Sequence, residues 1–238
     1  MTLLDLLRDL FPLGHSVTAA GPLVTGSART AAGEAAVVGT TGSPALGIPL
    51  LLDLGRCYRR ILAETPARPI VLLVDNSGQR MGLTEELLGL SQYIANLLAW
   101  QDLARRRGHR QVAVIYGRAV AGGFIAFGLQ ADRIAAVPDA HVAVMELPVV
   151  ARVTKLPMED LQALARTVPV FAPGIENFYA MGGVHEIWRT DLAGHLARAL
   201  READGQDTRA ALGAARGGRK LAAGLVDEIV QAPLCSNR

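Results

Sequence analysis

Hydrophobic and polar positions along this chain follow two periods, and the switches between them mark its elements. From Val17 to Thr41 ("VTAAGPLVTGSARTAAGEAAVVGTT") small, β-branched and glycine residues alternate, which predicts short antiparallel strands joined by glycine turns. Residues 47–63 read as a helix. The continuous apolar run "PIVLLVD", 69–75, predicts a strand buried on both faces, and the turn-rich "NSGQRMG" follows it. Between 84 and 107 Leu87, Leu90, Ile94 and Leu97 recur at helical spacing. Thr84 is the expected N-cap of that helix, Glu85 and Glu86 suit its positive end, and Arg105, Arg106, Arg107 and Gly108 close it. "RQVAVIYG" is the next buried strand, followed by a glycine turn and an apolar helix whose first turn carries Ala121, Gly122 and Gly123. "DRIAAVP" and "HVAVME" read as further strands.

Helical patterns occupy about 157–167, 174–181, 190–203 and 207–224, then "GLVDEIV", and the opening "MTLLDLLRDLFPLGHS" reads as a short amphipathic helix. Strand, glycine-bearing loop and helix occur twice in the middle of the chain, which predicts an α/β core on a largely parallel sheet. No repeat, low-complexity tract or long linker divides it, so one domain over 1–238 is expected.

Composition narrows the function classes. Half of the 238 residues are hydrophobic, enough for a full core. Lys and Arg number 24 against 22 Asp and Glu, and a net charge of +2 gives no reason to expect nucleic acid as a partner. Asp5 and Asp9 interrupt the first apolar stretch, unlike a signal peptide, and no uncharged run reaches the roughly 20 residues that span a bilayer, so no membrane partner is expected. Cys57 and Cys235 make no disulfide framework, which fits a reducing, cytoplasmic setting.

The candidate chemistry lies at residues 121–123. The first amides of a helix have no intrahelical partner, and the dipole favours negative charge there. Gly122 and Gly123 let a guest approach the backbone, and the fitting guest is an anion or a carbonyl oxygen that becomes one. "GRAVAGG" is neither a G-x-G-x-x-G dinucleotide turn nor a G-K-[ST] phosphate loop, and Lys155 and Lys220 lie elsewhere. Close helix-to-sheet packing would also explain small residues at 119 and 121–123. The loop after the first buried strand, Ser77, Gly78, Gln79 and Arg80, falls at the same carboxyl edge of the sheet, so two sets of amides are expected to converge there as an oxyanion hole.

Side chains add less. Neither loop matches G-x-S-x-G, so Ser77 reads as a turn former and not a nucleophile. Arg80 suits either a carboxylate or phosphate partner or solvent. His15, His109, His141, His185 and His195 show no metal-ligand spacing, and no metal is expected. His141 and Glu146 flank a strand and read first as structural, with proton donation as the alternative. The arginine run 105–107 reads as a helix terminus, with an acidic protein surface as an alternative contact.

The stretch "PIVLLVDNSGQRMG" together with "AVIYGRAVAGGFIAFGLQADRIAAVPDAHVAVMELP" resembles the crotonase-type half-site of acyl-thioester carboxyltransferases. "FAPGIENFYAMGGVHEIW", 171–188, narrows the likeness, and the whole chain is similar to the γ subunits of biotin-independent malonate decarboxylases. The resemblance implies a crotonase-like α/β fold of layered sheets with surrounding helices. It also implies a homologous β-subunit partner with the active site between the two subunits. The substrate would be malonyl thioester carried on the CoA-like arm of an acyl carrier protein, and the products acetyl thioester and carbon dioxide. No cofactor would be bound by this chain, and biotin would not be needed. Decarboxylation puts charge on the thioester oxygen, so preorganised N–H donors are the main requirement. Gly122 and Gly123 would form the hole, Val120 and Ala121 its entrance, and Ser77, Gly78, Gln79 and Arg80 the second wall. Tyr179 and Glu176 would line the site or the β-subunit contact. A subunit of a biotin-dependent carboxyltransferase, a non-catalytic scaffold for the β subunit and, last, a Clp-type hydrolase remain as rival readings.

Overall fold

The computed structural model describes residues 1–64, 68–168, 172–218 and 222–231. Phe171, Lys220 and Cys235 lie outside the described residues. Helix α1 (Leu3–Leu10) is capped by Thr2, whose hydroxyl accepts the Asp5 N–H at 3.2 Å, and it buries Leu6, Leu7 and Leu10. The alternating segment then folds into an antiparallel meander of β1 (Thr18–Ala20), β2 (Leu23–Thr30) and β3 (Gly33–Thr40). Helix α2 (Ile48–Glu64) crosses to β4 (Ile70–Asn76), which pairs parallel to β3, and every residue of β4 is buried.

Strand β5 (Gln111–Val120) continues the parallel sheet beside β4, and β6 (Arg133–Ala136), β7 (His141–Ala143) and β8 (Glu186–Ile187) complete eight strands. The spatial order is β1-β2-β3-β4-β5-β6-β8, with β7 off this path. Strand β5 changes partner along its length: Val112–Ile115 pair with Arg133–Ala136, whereas Arg118–Val120 pair with His141–Ala143. The β4–β5 register shifts between Val74 and Asn76, and Asn76 pairs with Ala119 just beyond the point where β5 changes partner. Ile70–Val74 and Val112–Ile115 are fully buried at the centre of one apolar core, as expected for parallel strands covered on both faces.

Several elements differ from the pattern-based expectation. The helix expected over 84–107 is two helices, α3 (Leu83–Leu87) and α4 (Leu90–Arg106), because Gly89 takes a left-handed conformation at φ 78° and turns the chain. Gly82, not Thr84, stands at the N-cap, without a side-chain cap. Gly117 is no turn: the strand runs through it to Val120, and α5 (Ala121–Ala126) starts at once and lasts six residues. The strand expected over "HVAVME" is confined to β7, and helix α6 (Leu147–Thr154), absent from the expected helices, follows with Pro148 in its first turn. Helices α7 (Met158–Thr167), α8 (Ile175–Ala180) and α9 (Leu192–Glu202) match their expected spans. The pattern over 207–224 resolves into α10 (Arg209–Ala215), a turn at 216–218 and the start of α11 (Ala222–Gln231), with 219–221 outside the described residues. Among the described residues no helix is long and apolar enough to cross a membrane.

Candidate functional site

The end of β4 and the middle of β5 are locked together by a buried carboxylate. Asp75 accepts hydrogen bonds from the Ser43 N–H (2.9 Å), the Ser43 hydroxyl (2.6 Å) and the Arg118 N–H (2.9 Å). Gly117 leaves the space it fills, since a Cβ there would collide with the Asp75 carboxylate. The next residue, Asn76, is also buried, and its Oδ1 accepts the Gly78 N–H at 3.2 Å. The loop Ser77–Arg80 is then pinned on its far side by the 44–46 segment. Ser77 N–H donates to Pro44 O (3.0 Å), Leu46 N–H to Gly78 O (2.8 Å) and Arg80 N–H to Leu46 O (3.0 Å).

Against this rigid loop sits the start of α5. Ala121 has φ 50°, a left-handed conformation that costs a residue with a Cβ about 1 kcal/mol or more and occurs where the surroundings dictate the turn. A Cβ on Gly123 would lie 2.5 Å from Asn76 Oδ1 and 2.6 Å from the Gly78 carbonyl carbon, and one on Gly122 would lie 2.9 Å from Gln79 Oε1. The missing side chains therefore make room for the loop, not for a reacting oxygen as the sequence suggested, and close packing is their first physical reason. The backbone N–H groups are another matter. Among the described residues neither the Gly122 nor the Gly123 N–H has a hydrogen-bond acceptor, Gly122 is half-buried and Gly123 buried. Asn76 Nδ2 and Gln79 Oε1 are likewise buried without a partner. Four unpaired polar groups thus meet at one short strand-to-helix junction, a concentration that native interiors seldom leave unused.

Gly78, Gln79, Val120, Ala121, Gly122 and Gly123 come together at this junction, with Gly78 facing the Ala121 methyl and the Val120 carbonyl. Ser77 and Arg80 are exposed at its rim, and Arg80 leans toward Glu85 at 3.8 Å. The two recesses found elsewhere, about 310 Å³ at His15 and Arg29 and about 150 Å³ at Asp132 and Arg209, do not include the junction. Beyond the loop, Met81, Leu83, Leu87 and Leu88, close in sequence, each expose an apolar side chain, as residues that a protein partner covers often do.

A second polar group lies beside the junction. His141 and Arg118 are paired residues of β7 and β5, and His141 Nε2 lies 2.6 Å from Glu146 Oε1, with Arg118 Nη2 3.8 Å from the same oxygen. Arg118 and Asn76 carried no sequence signal as site residues. A strand residue two positions before a bend looks like any other exposed arginine, and only the β5–β7 register brings it to His141. The Tyr179 ring is covered by the Arg216 guanidinium at 3.7 Å, and Glu176 pairs with Arg189 at 2.9 Å on the surface. In the arginine run, Arg105 binds Asp132 and Arg106 binds Asp102, as a helix terminus does. Among the described residues no three His, Cys, Asp or Glu cluster as metal ligands.

The family model for the malonate decarboxylase gamma subunit matches residues 43–233. The chain belongs to that family. A curated relative, the malonyl-S-ACP:biotin-protein carboxyltransferase MADD of Malonomonas rubra, is 38% identical over 186 residues, covering 69% of this chain and 63% of that protein. The match therefore spans less than two thirds of the relative's length. Among solved structures, a Pseudomonas malonate decarboxylase hetero-tetramer in complex with coenzyme A superposes with TM-score 0.79 at 22% identity, covering 96% of this chain and 98% of that one. The Pseudomonas MdcD-MdcE hetero-dimer superposes with TM-score 0.75 at 24% identity, covering 96% and 97%. These likenesses establish the crotonase-like fold for this member of the gamma-subunit family.

Proposed function

We propose that this chain is the gamma-type half of a malonyl-thioester decarboxylase, active with a homologous β subunit that closes the other side of its junction. The observation that carries the reading is the pair of unpaired N–H groups at Gly122 and Gly123, fixed at a strained helix start against the Ser77–Arg80 loop. When the Cα–carboxylate bond of a malonyl thioester breaks, its electron pair becomes the enolate C=C bond and the carbonyl π pair moves onto the thioester oxygen. A backbone donor fixed there is worth roughly 3 kcal/mol, a hundredfold or more in rate. Which of the two oxygens, that of the thioester or of the departing carboxylate, this subunit's amides hold is set by what the β subunit brings to the same junction. Malonyl-S-ACP as substrate follows the name of the 38% identical relative, and a CoA-like arm agrees with coenzyme A in the Pseudomonas complex. A cytoplasmic, biotin-independent enzyme is the setting that goes with this reading.

Gly122→Val in the co-purified complex tests the claim, because carbon dioxide release and complex assembly are read separately. Turnover lost with assembly intact is expected. Unchanged turnover assigns the chain to a scaffold role and overturns the proposal. One observation favours a second reading: the relative from Malonomonas rubra bears the name of a carboxyltransferase to biotin protein. In that case the same amides would serve transfer instead of release. Carbon dioxide released without biotin protein supports decarboxylation, and release only with biotin protein supports transfer.

A further inference from the structure

Decarboxylation leaves an enolate, and the reaction is complete only when its carbon takes up a proton. The junction itself holds backbone donors, whose protons do not transfer, so the acid is another group at the site, and this chain offers a side chain for it. His141 is a titratable group beside it. Its strand pairs in register with the end of β5: Arg118 with His141, Ala119 with Val142 and Val120 with Ala143. In a parallel pair the partnered residues share a face and alternate residues return to it, so Arg118, Val120, His141 and Ala143 stand on one side of the sheet. Three residues of strand, about 10 Å, separate Arg118 from Ala121, the first residue of α5.

The ring is set up as an acid. Its Nε2 faces Glu146 Oε1 at 2.6 Å, and Glu146 stands at the N-cap of α6, where the start of that helix fixes it. Arg118 Nη2 lies 3.8 Å from the same carboxylate oxygen, so the carboxylate is held between the ring and the guanidinium. The carboxylate at Nε2 fixes the ring orientation and leaves Nδ1 as the nitrogen free to exchange a proton. The side chains of His141, Glu146 and Arg118 are 40%, 35% and 46% exposed, so the group opens to a substrate entering from the same side. Val144 and Met145, between the two partners, expose apolar side chains next to it.

We infer that His141, oriented by Glu146, is the acid that protonates the acetyl-thioester enolate; this rests on the decarboxylase reading above. The step balances without a further reagent. The Cα–carboxylate bond breaks, carbon dioxide leaves, its pair becomes the enolate C=C bond, and the carbonyl π pair moves onto the thioester oxygen. As the oxygen pair re-forms the carbonyl, the C=C pair makes a new C–H bond with the proton from His141 Nδ1, and the neutral ring regains a proton from water. General acids of this type contribute about 10² to 10⁴ in rate.

The test uses the assembled complex with malonyl thioester and reads kcat, KM and assembly. His141→Ala is expected to lower kcat about 100-fold with KM within twofold, and added imidazole is expected to restore at least tenfold of the loss. Glu146→Gln, which keeps the volume and removes the charge, is expected to lower kcat about tenfold. A packing role predicts the opposite signature: impaired assembly or altered KM, with no imidazole rescue. If neither His141→Ala nor His141→Gln assembles, the ring serves packing and the inference is overturned. Wild-type activity with His141→Ala kept within twofold sinks this inference and leaves the decarboxylase reading intact. A wild-type complex that releases no carbon dioxide sinks both.

Discussion

Gln111–Tyr116 and Gly117–Val120 are two halves of one strand, and their surroundings could hardly differ more. In the first half every residue is buried, and the strand lies between β4 and β6. The histidine attached to that layer, His185, is buried too: its Nδ1 accepts the Ile134 N–H at 3.1 Å. Burial, with Arg133, Arg209 and Arg216 nearby, holds its pKa down at about 4, so the ring is neutral and serves as an acceptor. In the second half the strand has left β6 for β7, Arg118 is exposed, and its histidine, His141, faces a carboxylate in reach of solvent. The same backbone is covered throughout its first half and carries an exposed arginine beside a solvent-accessible histidine in its second.

The comparison is broken most severely in the buried half. Ile115→Ala removes fully buried methyl groups at the sheet centre and is expected to destabilise the fold by about 3 kcal/mol, seen as a lower urea midpoint. An unchanged midpoint would contradict the central place of β5 in the core.

Acid comes next. With a folded pKa of about 4 against an ordinary value of 6.5, the unfolded chain binds a proton to His185 that the folded chain does not. This stabilisation is fully present above pH 6.5 and is lost as pH falls toward 4, by about 3 kcal/mol at most. His185→Gln should flatten urea midpoints across that window. If the slope persists, another group carries it.

Glycine replacements sharpen the contrast inside the junction. Gly123→Ala drives a methyl against the Asn76 oxygen and the Gly78 backbone and is expected to cost about 1–3 kcal/mol. Gly122→Ala meets only the end of the Gln79 side chain, which can swing aside, so a loss under about 1 kcal/mol is expected. Thermal melting of the pair checks the order, and equal losses would mean that the Gln79 side chain is as fixed as the backbone. The smallest effect belongs to Arg118→Ala. Its ion pair with Glu146 is nearly half exposed, so stability should move by less than about 1 kcal/mol. A larger loss would make the opened half as structural as the covered one.

Much of the architecture was legible in the hydrophobic pattern. The apolar runs at 69–75 and 110–117 are β4 and the first half of β5, and the alternating stretch 17–41 is the antiparallel meander. Periodicity failed where short-range signals were weak. It joined α3 to α4 across Gly89, because a glycine inside an apolar period reads as helix until its φ is known. It ended the strand at Gly117 with a turn to follow, because nothing local reveals that Asp75, 42 residues earlier, fills the space where a side chain would be.

The candidate site divides in the same way. The convergence of the Ser77–Arg80 loop with Val120–Gly123 followed from two strands ending at one sheet edge, and the structure brings those residues together. The reason for the glycines, the unpaired Asn76 amide and the His141–Glu146–Arg118 group did not follow. Sequence alone determined the strands, the two glycine-bearing loops and the family likeness, because burial periodicity and turn chemistry are local properties of the chain. Only the tertiary structure decided which amides stay unpaired and which histidine is buried, because those depend on the β5 partner switch and on contacts between residues far apart in sequence.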